Sequence, residues 1–319
     1  MRQRIDYFDQ MKGVAILLVV IGHVMQFSFG IPKSNVVDML GIFHMPIFFF
    51  VSGYFTYKES LTLKETASKC LSRARTLLLP YGVFLLIWCI FSNSNIVDLL
   101  MLGGERYWFL NALFVLSVIY ILWCLIISRI TNKYMYIGLV LIPIIFIKSS
   151  VVLGYTMGVI CLSQLDTFAK YFVVGLLCKK FKVLNDIFSN NTFVYALSFT
   201  LFILQWFLTG RSNFFLITLG ALGAIIVILQ SLKNISRKSI ILSWFTLMGR
   251  NSLAIYLLHY FFIPDVSAWF KTINVLNPFI FHLTASLIVS IPIVVSSLFV
   301  SSLINKNVYL KYLLLGQNN

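Results

Sequence analysis

Charge is scarce in this sequence. Of its 319 residues only 11% are charged, and just ten are Asp or Glu; a soluble domain carries roughly 25% charged residues. Sixty per cent are hydrophobic, and the mean hydropathy is +0.92. Too few polar side chains are present to cover a folded chain of this size in water. That shortage excludes a water-soluble globular domain, a disordered chain and a fibrous repeat. Linkers, low-complexity tracts and internal repeats are also missing, so the chain reads as one domain over 1–319. The five cysteines (Cys70, Cys89, Cys124, Cys161 and Cys178) form no Cys-x-x-Cys motif and no Cys/His cluster. No metal site is therefore expected. The first apolar run lacks a small-residue cleavage site and contains Lys12 and His23, so a retained helix is expected there, not a signal peptide.

What is abundant is long apolar sequence. Windows at 12–29, 39–56, 77–92, 107–127, 134–148, 166–180, 191–209, 213–231, 251–270 and 278–304 give ten candidate spans. At about 20 residues each they consume about 200 residues and leave short loops. The expected fold is an all-α integral membrane protein, a bundle of about ten transmembrane helices. There is no room for a separate catalytic domain, so any chemistry uses the bundle and its loops. The stretch 149–165 is too apolar for an ordinary loop; it belongs to a longer span or is a re-entrant or interfacial piece. The sequence shows no inverted repeat and no pair of broken helices.

The net charge of +15 would suggest nucleic acid in a soluble protein. Its distribution says otherwise. With the N-terminus in the cytoplasm, eighteen of the 25 Lys and Arg fall on inner segments. Five fall outside (Lys33, Arg106, Lys148, Arg211, Lys271), and Lys12 and Lys170 lie within spans. Cytoplasmic loops carry such an excess. An N-in, C-in orientation with an even number of spans is expected, no nucleic-acid partner, and contact with membrane lipids.

Ionisable groups inside a membrane are costly, so each is a functional candidate. Lys12 and His23 are 11 residues apart, which places them on one helix face about 16 Å apart along the axis. Asp9, three residues before Lys12, can pair with it. Taken singly, Lys12 is an interface anchor and His23 an interhelical hydrogen bond; the shared stripe argues for a joint role. In the second span His44 enters from the side where His23 lies, Pro46 stands near the expected helix start, and Ser52 and Gly53 permit close helix approach. Two imidazoles at similar depth suggest proton handling. The loop 57–75 carries Lys58, Lys64, Lys69, Arg73 and Arg75. It suits anionic lipid head groups or a phosphate-rich ligand. Glu105 and Trp108 open the fourth span at its outer end, where an aromatic belt and a sugar-contacting rim are both admissible. His259 is a third mid-membrane histidine, and His282 reads as structural.

Together these residues resemble acyltransferase family 3 of bacterial membrane proteins. The resemblance rests on Phe8-Asp9-Gln10-Met11-Lys12-Gly13, Gly22-His23, Phe43-His44-Met45-Pro46 through Ser52-Gly53, Leu79-Pro80-Tyr81, Trp108-Phe109-Leu110 and Asn251-Ser252 through His259. It covers nearly the whole chain. Lys12 to His23 looks like the family's basic-residue-x10-His signature. The family often has Arg where this chain has Lys12, which removes a planar bidentate fork. The Arg73/Arg75 spacing is also offset from the commoner Arg-x-x-Arg.

The resemblance implies transfer of an acyl group, usually acetyl, from acyl-CoA to a hydroxyl of a cell-surface polysaccharide or lipid-linked sugar. No bound cofactor is implied; acetyl-CoA or another acyl-CoA is a substrate. His23 would be general base or transient acyl carrier. Lys12 would hold donor oxygens with Asp9 positioning it, and His44 would share the proton or bind acceptor. Arg73 and Arg75 would bind the donor phosphates; Glu105, Trp108 and His259 would face the acceptor. The expected location is the bacterial inner membrane, multi-pass, alongside polysaccharide-synthesis proteins. The rival class is a transporter or flippase for a glycan, which intramembrane ionisable residues also suit.

Overall fold

The computed structural model describes residues 5–31, 35–93, 95–97, 105–155, 158–207, 214–235, 239–270 and 278–317. Of the residues singled out above, Lys33, Arg211 and Lys271 lie outside them, as does the Glu105 side chain. Within this set the regular structure is helical, as a chain deprived of water must be if its backbone polar groups are to be paired.

Helix α1 (Asp6–His23) has Asp6 and Asp9 in its first turn, where carboxylates complement the helix dipole. It widens into a π-helical stretch, Val24–Ser28, and the run ends near Gly30 at φ 68°. Helix α2 (Asn35–Thr56) begins before the 39–56 window, so Pro46 is an interior residue and not a helix-start proline. Its missing N–H is tolerated in the bilayer because neighbouring groups re-satisfy the freed carbonyl.

The segment 57–75, expected as a loop, is mostly helix. α3 (Leu63–Arg73) starts from a capping box in which the Thr62 hydroxyl accepts from the Glu65 N–H and Glu65 returns to Thr62. It passes through a second π stretch, Ala74–Leu78, into α4 (Leu79–Ser92). The whole forms one candidate span, Leu63–Ser92.

After α5 (Trp108–Ile127) come α6 (Lys133–Val140) and α7 (Ile142–Val152), which join as a single span. The ambiguous stretch 149–165 divides between the end of α7, a 3₁₀ turn at Gly158–Ile160, and the start of α8 (Leu162–Lys180). α8 is long enough to cross at 1.5 Å per residue, but it carries Asp166, Lys170, Lys179 and Lys180.

Two later spans are bent, contrary to the expectation of no broken helices. α9 (Lys182–Asn190) and α10 (Thr192–Phe207) meet at 68°. After α11 (Phe214–Asn234), α12 (Ile240–Arg250) and α13 (Ser252–Leu258) also meet at 68°. The ninth span therefore starts at Ile240, eleven residues before the apolar window, and the polar run Arg250-Asn251-Ser252 marks a bend, not a boundary. α13 tightens into a 3₁₀ turn, His259–Phe262. α14 (Ser267–Phe270), α15 (Pro278–Ile304) and α16 (Val308–Leu315) complete the order. Among the described residues seven helices are long and apolar enough to cross a membrane, or nine if each bent pair is one span.

The chain divides into two compact units: residues 1–48 with 185–303, and 49–184 with 304–319. In the first, α1 packs along α12 backbone to backbone. A Cβ on Gly13 would fall 2.0 Å from the Phe245 carbonyl oxygen, and one on Gly249 would fall 1.7 Å from that of Asp9. Small residues at a helix interface permit this approach where no hydrophobic drive separates lipid from protein. In the second unit, the later part of α2 and α8 use the same device. Gly53 faces the Phe172 carbonyl and Gly175 that of Phe50, so Gly53 does allow the close approach read from the sequence.

Candidate active site

The first unit holds the two ends of the α1 stripe. α1 is regular over the 11 residues between Lys12 and His23, so the condition for a shared face is met. Near its start, Lys12 Nζ pairs with Asp9 at 2.7 Å. Asp9 is buried, and Arg250, the last residue of α12, reaches it from the other side: Nε lies 3.6 Å from Asp9, and Nη2 lies 3.4 Å from Asp6. Two carboxylates and two cations thus balance one another. Gln10 Nε2 donates to Thr246 Oγ1 at 3.3 Å. Beside them a cleft of about 360 Å³ is lined by Asp6, Gln10, Ser243, Thr246 and Arg250 with Leu242 and Leu247. The sequence reading gave Asp9 to Lys12 alone; Arg250 was missed because the helix bearing it was not recognised.

At the other end, His23 closes the regular part of α1, just before the π stretch. π-bulges occur often at functional sites because they re-aim side chains. The imidazole that meets it is His259, where α13 gives way to the 3₁₀ turn. His23 Nδ1 and His259 Nε2 are 2.8 Å apart, and the rings stack at 5.0 Å with planes 5° apart. His259 is fully buried, and its Nδ1 lies 2.9 Å from the Ile255 carbonyl oxygen. His23 is half-buried, and the Tyr260 hydroxyl lies 3.3 Å from its Nε2. A backbone bond from Val266 N–H to the Ser28 carbonyl (3.0 Å) ties the end of the π stretch to the segment after the 3₁₀ turn. His259 was read as facing the acceptor and Tyr260 was not singled out. Both are 236 or more residues from His23 in sequence. His44 was expected to share the proton or to bind acceptor; its Nδ1 donates to the Leu40 carbonyl of its own helix.

The second unit holds the other candidates. Arg73 Nη2 donates to Thr56 Oγ1 (3.3 Å) and Lys69 Nζ to the Thr56 carbonyl (3.0 Å), both at the last residue of α2. Lys180 Nζ donates to the Tyr57 hydroxyl (3.4 Å) and sits 3.9 Å from the Tyr136 ring centre. Lys179 Nζ lies 5.0 Å from that of Tyr54. Arg75 falls in the π stretch, and its Nε is buried with no hydrogen-bond partner among the described residues. Lys58 pairs with Glu65. Trp108 begins α5 and stacks on Phe168 at 5.5 Å; Glu105 opens the preceding 3₁₀ turn. Among the described residues, no group of three or more His, Cys, Asp or Glu could hold a metal ion.

Helices of spanning length, with a histidine pair in one unit and cations gathered at the end of α2 in the other, define a multi-pass membrane protein. The particular family follows. A model described as an acyltransferase domain matches residues 5–305, and the chain belongs to that family. Nodulation protein NolL of Mesorhizobium japonicum (strain LMG 29417 / CECT 9101 / MAFF 303099) is 32% identical over 127 residues. The match covers 34% of this chain and 33% of that protein, so the chain spans about a third of the length of this curated relative. No solved structure matches.

Proposed function

We propose that the protein is an O-acyltransferase of the bacterial inner membrane, N-in and C-in, moving acetyl from acetyl-CoA to a hydroxyl of a cell-surface glycan or lipid-linked sugar. The observation that carries this is the geometry at His23. A half-buried imidazole has a fully buried imidazole at one ring nitrogen and a hydroxyl at the other. That is the layout of a general base with an orienting partner. His23 Nε2 takes the proton of the acceptor hydroxyl as its oxygen attacks the thioester carbonyl. The C–O bond forms, the C–S bond breaks, and the departing thiolate takes the proton back from His23.

Donor binding falls to the cations around the end of α2. Lys69, Arg73, Lys179 and Lys180 contact Thr56, Tyr57 and Tyr54 there. Arg73, Arg75, Lys179 and Lys180 form no salt bridge with a carboxylate among the described residues. Cations without carboxylates suit a polyanion such as the phosphates of CoA. Arg75, with its buried unsatisfied Nε, supports the same reading, since such groups signal a missing partner. Lys12 is held by Asp9 and takes a donor oxygen as a point charge. Glu105 and Trp108 remain the acceptor-side candidates.

The test is acetyl incorporation into surface glycan, normalised to inserted protein. His23→Ala should insert normally, because an intramembrane hydrogen bond averages about 0.6 kcal/mol, yet should lower turnover by roughly a hundredfold or more. A well-folded His23→Ala protein with parental acetylation removes the enzymatic reading. The two 68° bends favour the second reading, a glycan transporter, because discontinuous helices recur at transport sites. It takes over if His23→Ala keeps acetylation and stops export.

A further inference from the structure

We infer that His259 is a positioning residue that fixes the tautomer of His23, and that the Ile255 peptide carbonyl sets the direction of the whole relay. The catalytic consequence rests on the acyl-transfer reading; the tautomer itself does not.

The argument begins from an atom whose role is not adjustable. A peptide carbonyl only accepts, so at 2.9 Å from the Ile255 oxygen the Nδ1 of His259 must carry the proton. A neutral imidazole has one N–H, so Nε2 of His259 is an acceptor. The 2.8 Å contact to His23 Nδ1 then needs its proton on His23. His23 Nδ1 is the donor, and in the neutral pair His23 Nε2 is left as a lone pair. The Tyr260 hydroxyl, 3.3 Å away, donates to it. Every proton along Ile255, His259, His23 and Tyr260 follows from the first. Which ring nitrogen of a histidine is protonated is set by the bond the other one makes. Here that control passes through two rings in series.

Burial points the same way. His259 is fully buried and His23 is half-buried, so of the two rings His23 is the one a substrate can reach. The two-ring arrangement does what a carboxylate does in a serine-type triad: it holds the imidazole in the reactive tautomer and accepts from the imidazolium that forms. A neutral ring does this without placing a negative charge in the membrane interior, where charge is costly. When a substrate hydroxyl displaces the Tyr260 hydroxyl from Nε2, that nitrogen is already the base. With the opposite tautomer Nε2 would present a proton and could not deprotonate the acceptor.

The experiment is ¹⁵N-histidine spectroscopy of the full-length protein in lipid nanodiscs, with acetyl transfer to membrane-associated glycan measured in parallel. The chain has four histidines, so single substitutions assign every ring. In the parent, His23 should show a protonated Nδ1 and an unprotonated Nε2. His259→Gln supplies an amide oxygen at about the reach of the lost Nε2; it should keep that tautomer and turn over within about tenfold of the parent. His259→Leu removes the acceptor. His23 should shift toward the Nε2–H form, and turnover should fall about a hundredfold with the apparent KM for acetyl-CoA unchanged. A His23 found in the Nε2–H form in the parent overturns the proposal; so does a His259→Leu protein whose His23 tautomer is unmoved. If His259→Leu does not fold, the parent spectrum and His259→Gln decide. The expected tautomers together with a parent that transfers no acetyl would instead reject the acyl-transfer reading and leave the relay standing.

Discussion

Replacing Gly249 by alanine should be among the most damaging single-methyl changes available in the first unit. The new Cβ would lie 1.7 Å from the Asp9 carbonyl oxygen and 3.0 Å from the Gly13 amide nitrogen, whereas ordinary contact starts at 3.4 Å. Relief at the oxygen therefore requires α1 and α12 to part by about as much again, 1.7 Å. Both atoms are backbone, so no rotamer change absorbs the clash. Overpacking of this kind costs about 1–3 kcal/mol, and an immovable neighbour places it at the upper end. Separation also pulls Asp9 from Arg250, whose 3.6 Å contact crosses the same interface. About 3 kcal/mol is roughly a hundredfold in the folded ratio. Gly22→Ala is the internal control: it lies on the same helix beside His23, with nothing within 4 Å of its Cβ. It should be neutral or stabilise by up to about 1 kcal/mol through helix propensity. The assay is denaturant unfolding in mixed micelles, followed by tryptophan fluorescence. Parental stability for Gly249→Ala, or an equal loss for Gly22→Ala, would refute the backbone-contact argument.

Asp9→Asn takes from Lys12 its carboxylate partner and leaves Arg250 with Asp6. Since both cations are partly exposed, stability should fall by about 1–2 kcal/mol, less than the 3–5 of a fully buried pair. Adding Lys12→Met to Asp9→Asn should cost less than the sum of the single changes, which a double-mutant cycle reads as coupling near 1 kcal/mol; additivity would mean the pair is idle. Arg73→Gln with Arg75→Gln should raise the apparent constant for acetyl-CoA at least tenfold while leaving that for the acceptor unchanged, as charge-assisted bonds are worth about 1.5–3 kcal/mol each. An unmoved donor constant returns these arginines to a topological role. Reporter fusions in the 59–61 connection, ahead of α3 so that the helix stays intact, should read cytoplasmic, as should one at Lys182. A periplasmic signal at 59–61 would reverse the orientation and the donor-side argument with it.

Local features were legible in the sequence and long-range ones were not. A spacing of three residues announced Asp9 with Lys12, and the pair is present at 2.7 Å. An 11-residue spacing announced the stripe to His23, and α1 is unbroken across it. Gly53 could be read as a close-packing residue because no side chain blocks approach, although its partner, Phe172, could not be named. The histidine pair depends on two residues 236 apart, and helical periodicity says which face a residue occupies without saying what lies opposite. Two misreadings had local causes. The five basic residues in 57–75 suggested a loop, yet Thr62-x-x-Glu65 is a capping box visible in the sequence. The bend after α12 hid an entire helix, because a hydropathy window stops at Arg250-Asn251-Ser252 while the chain only turns there.

The π stretch after His23 bears on how such a site could arise in evolution. A π turn is an α-helix holding one residue too many. Deleting a single residue from Val24–Ser28 would restore an ordinary helix of almost unchanged hydropathy, still able to span the bilayer. It would also rotate His23 and the helix before it by about 100° relative to everything after Ser28. The imidazole would leave His259, and the strand of contacts from Ser28 to Val266 would point elsewhere. Insertions and deletions are ordinarily tolerated in loops, where they are close to neutral. In this chain a one-codon change within a transmembrane segment separates a helix that only fills the membrane from one that brings His23 to His259. The second π stretch, Ala74–Leu78, stands in the same relation to Arg73 and to Arg75 within it. In a bundle with so few polar residues, helix register is the cheapest variable by which reactive groups can be aligned.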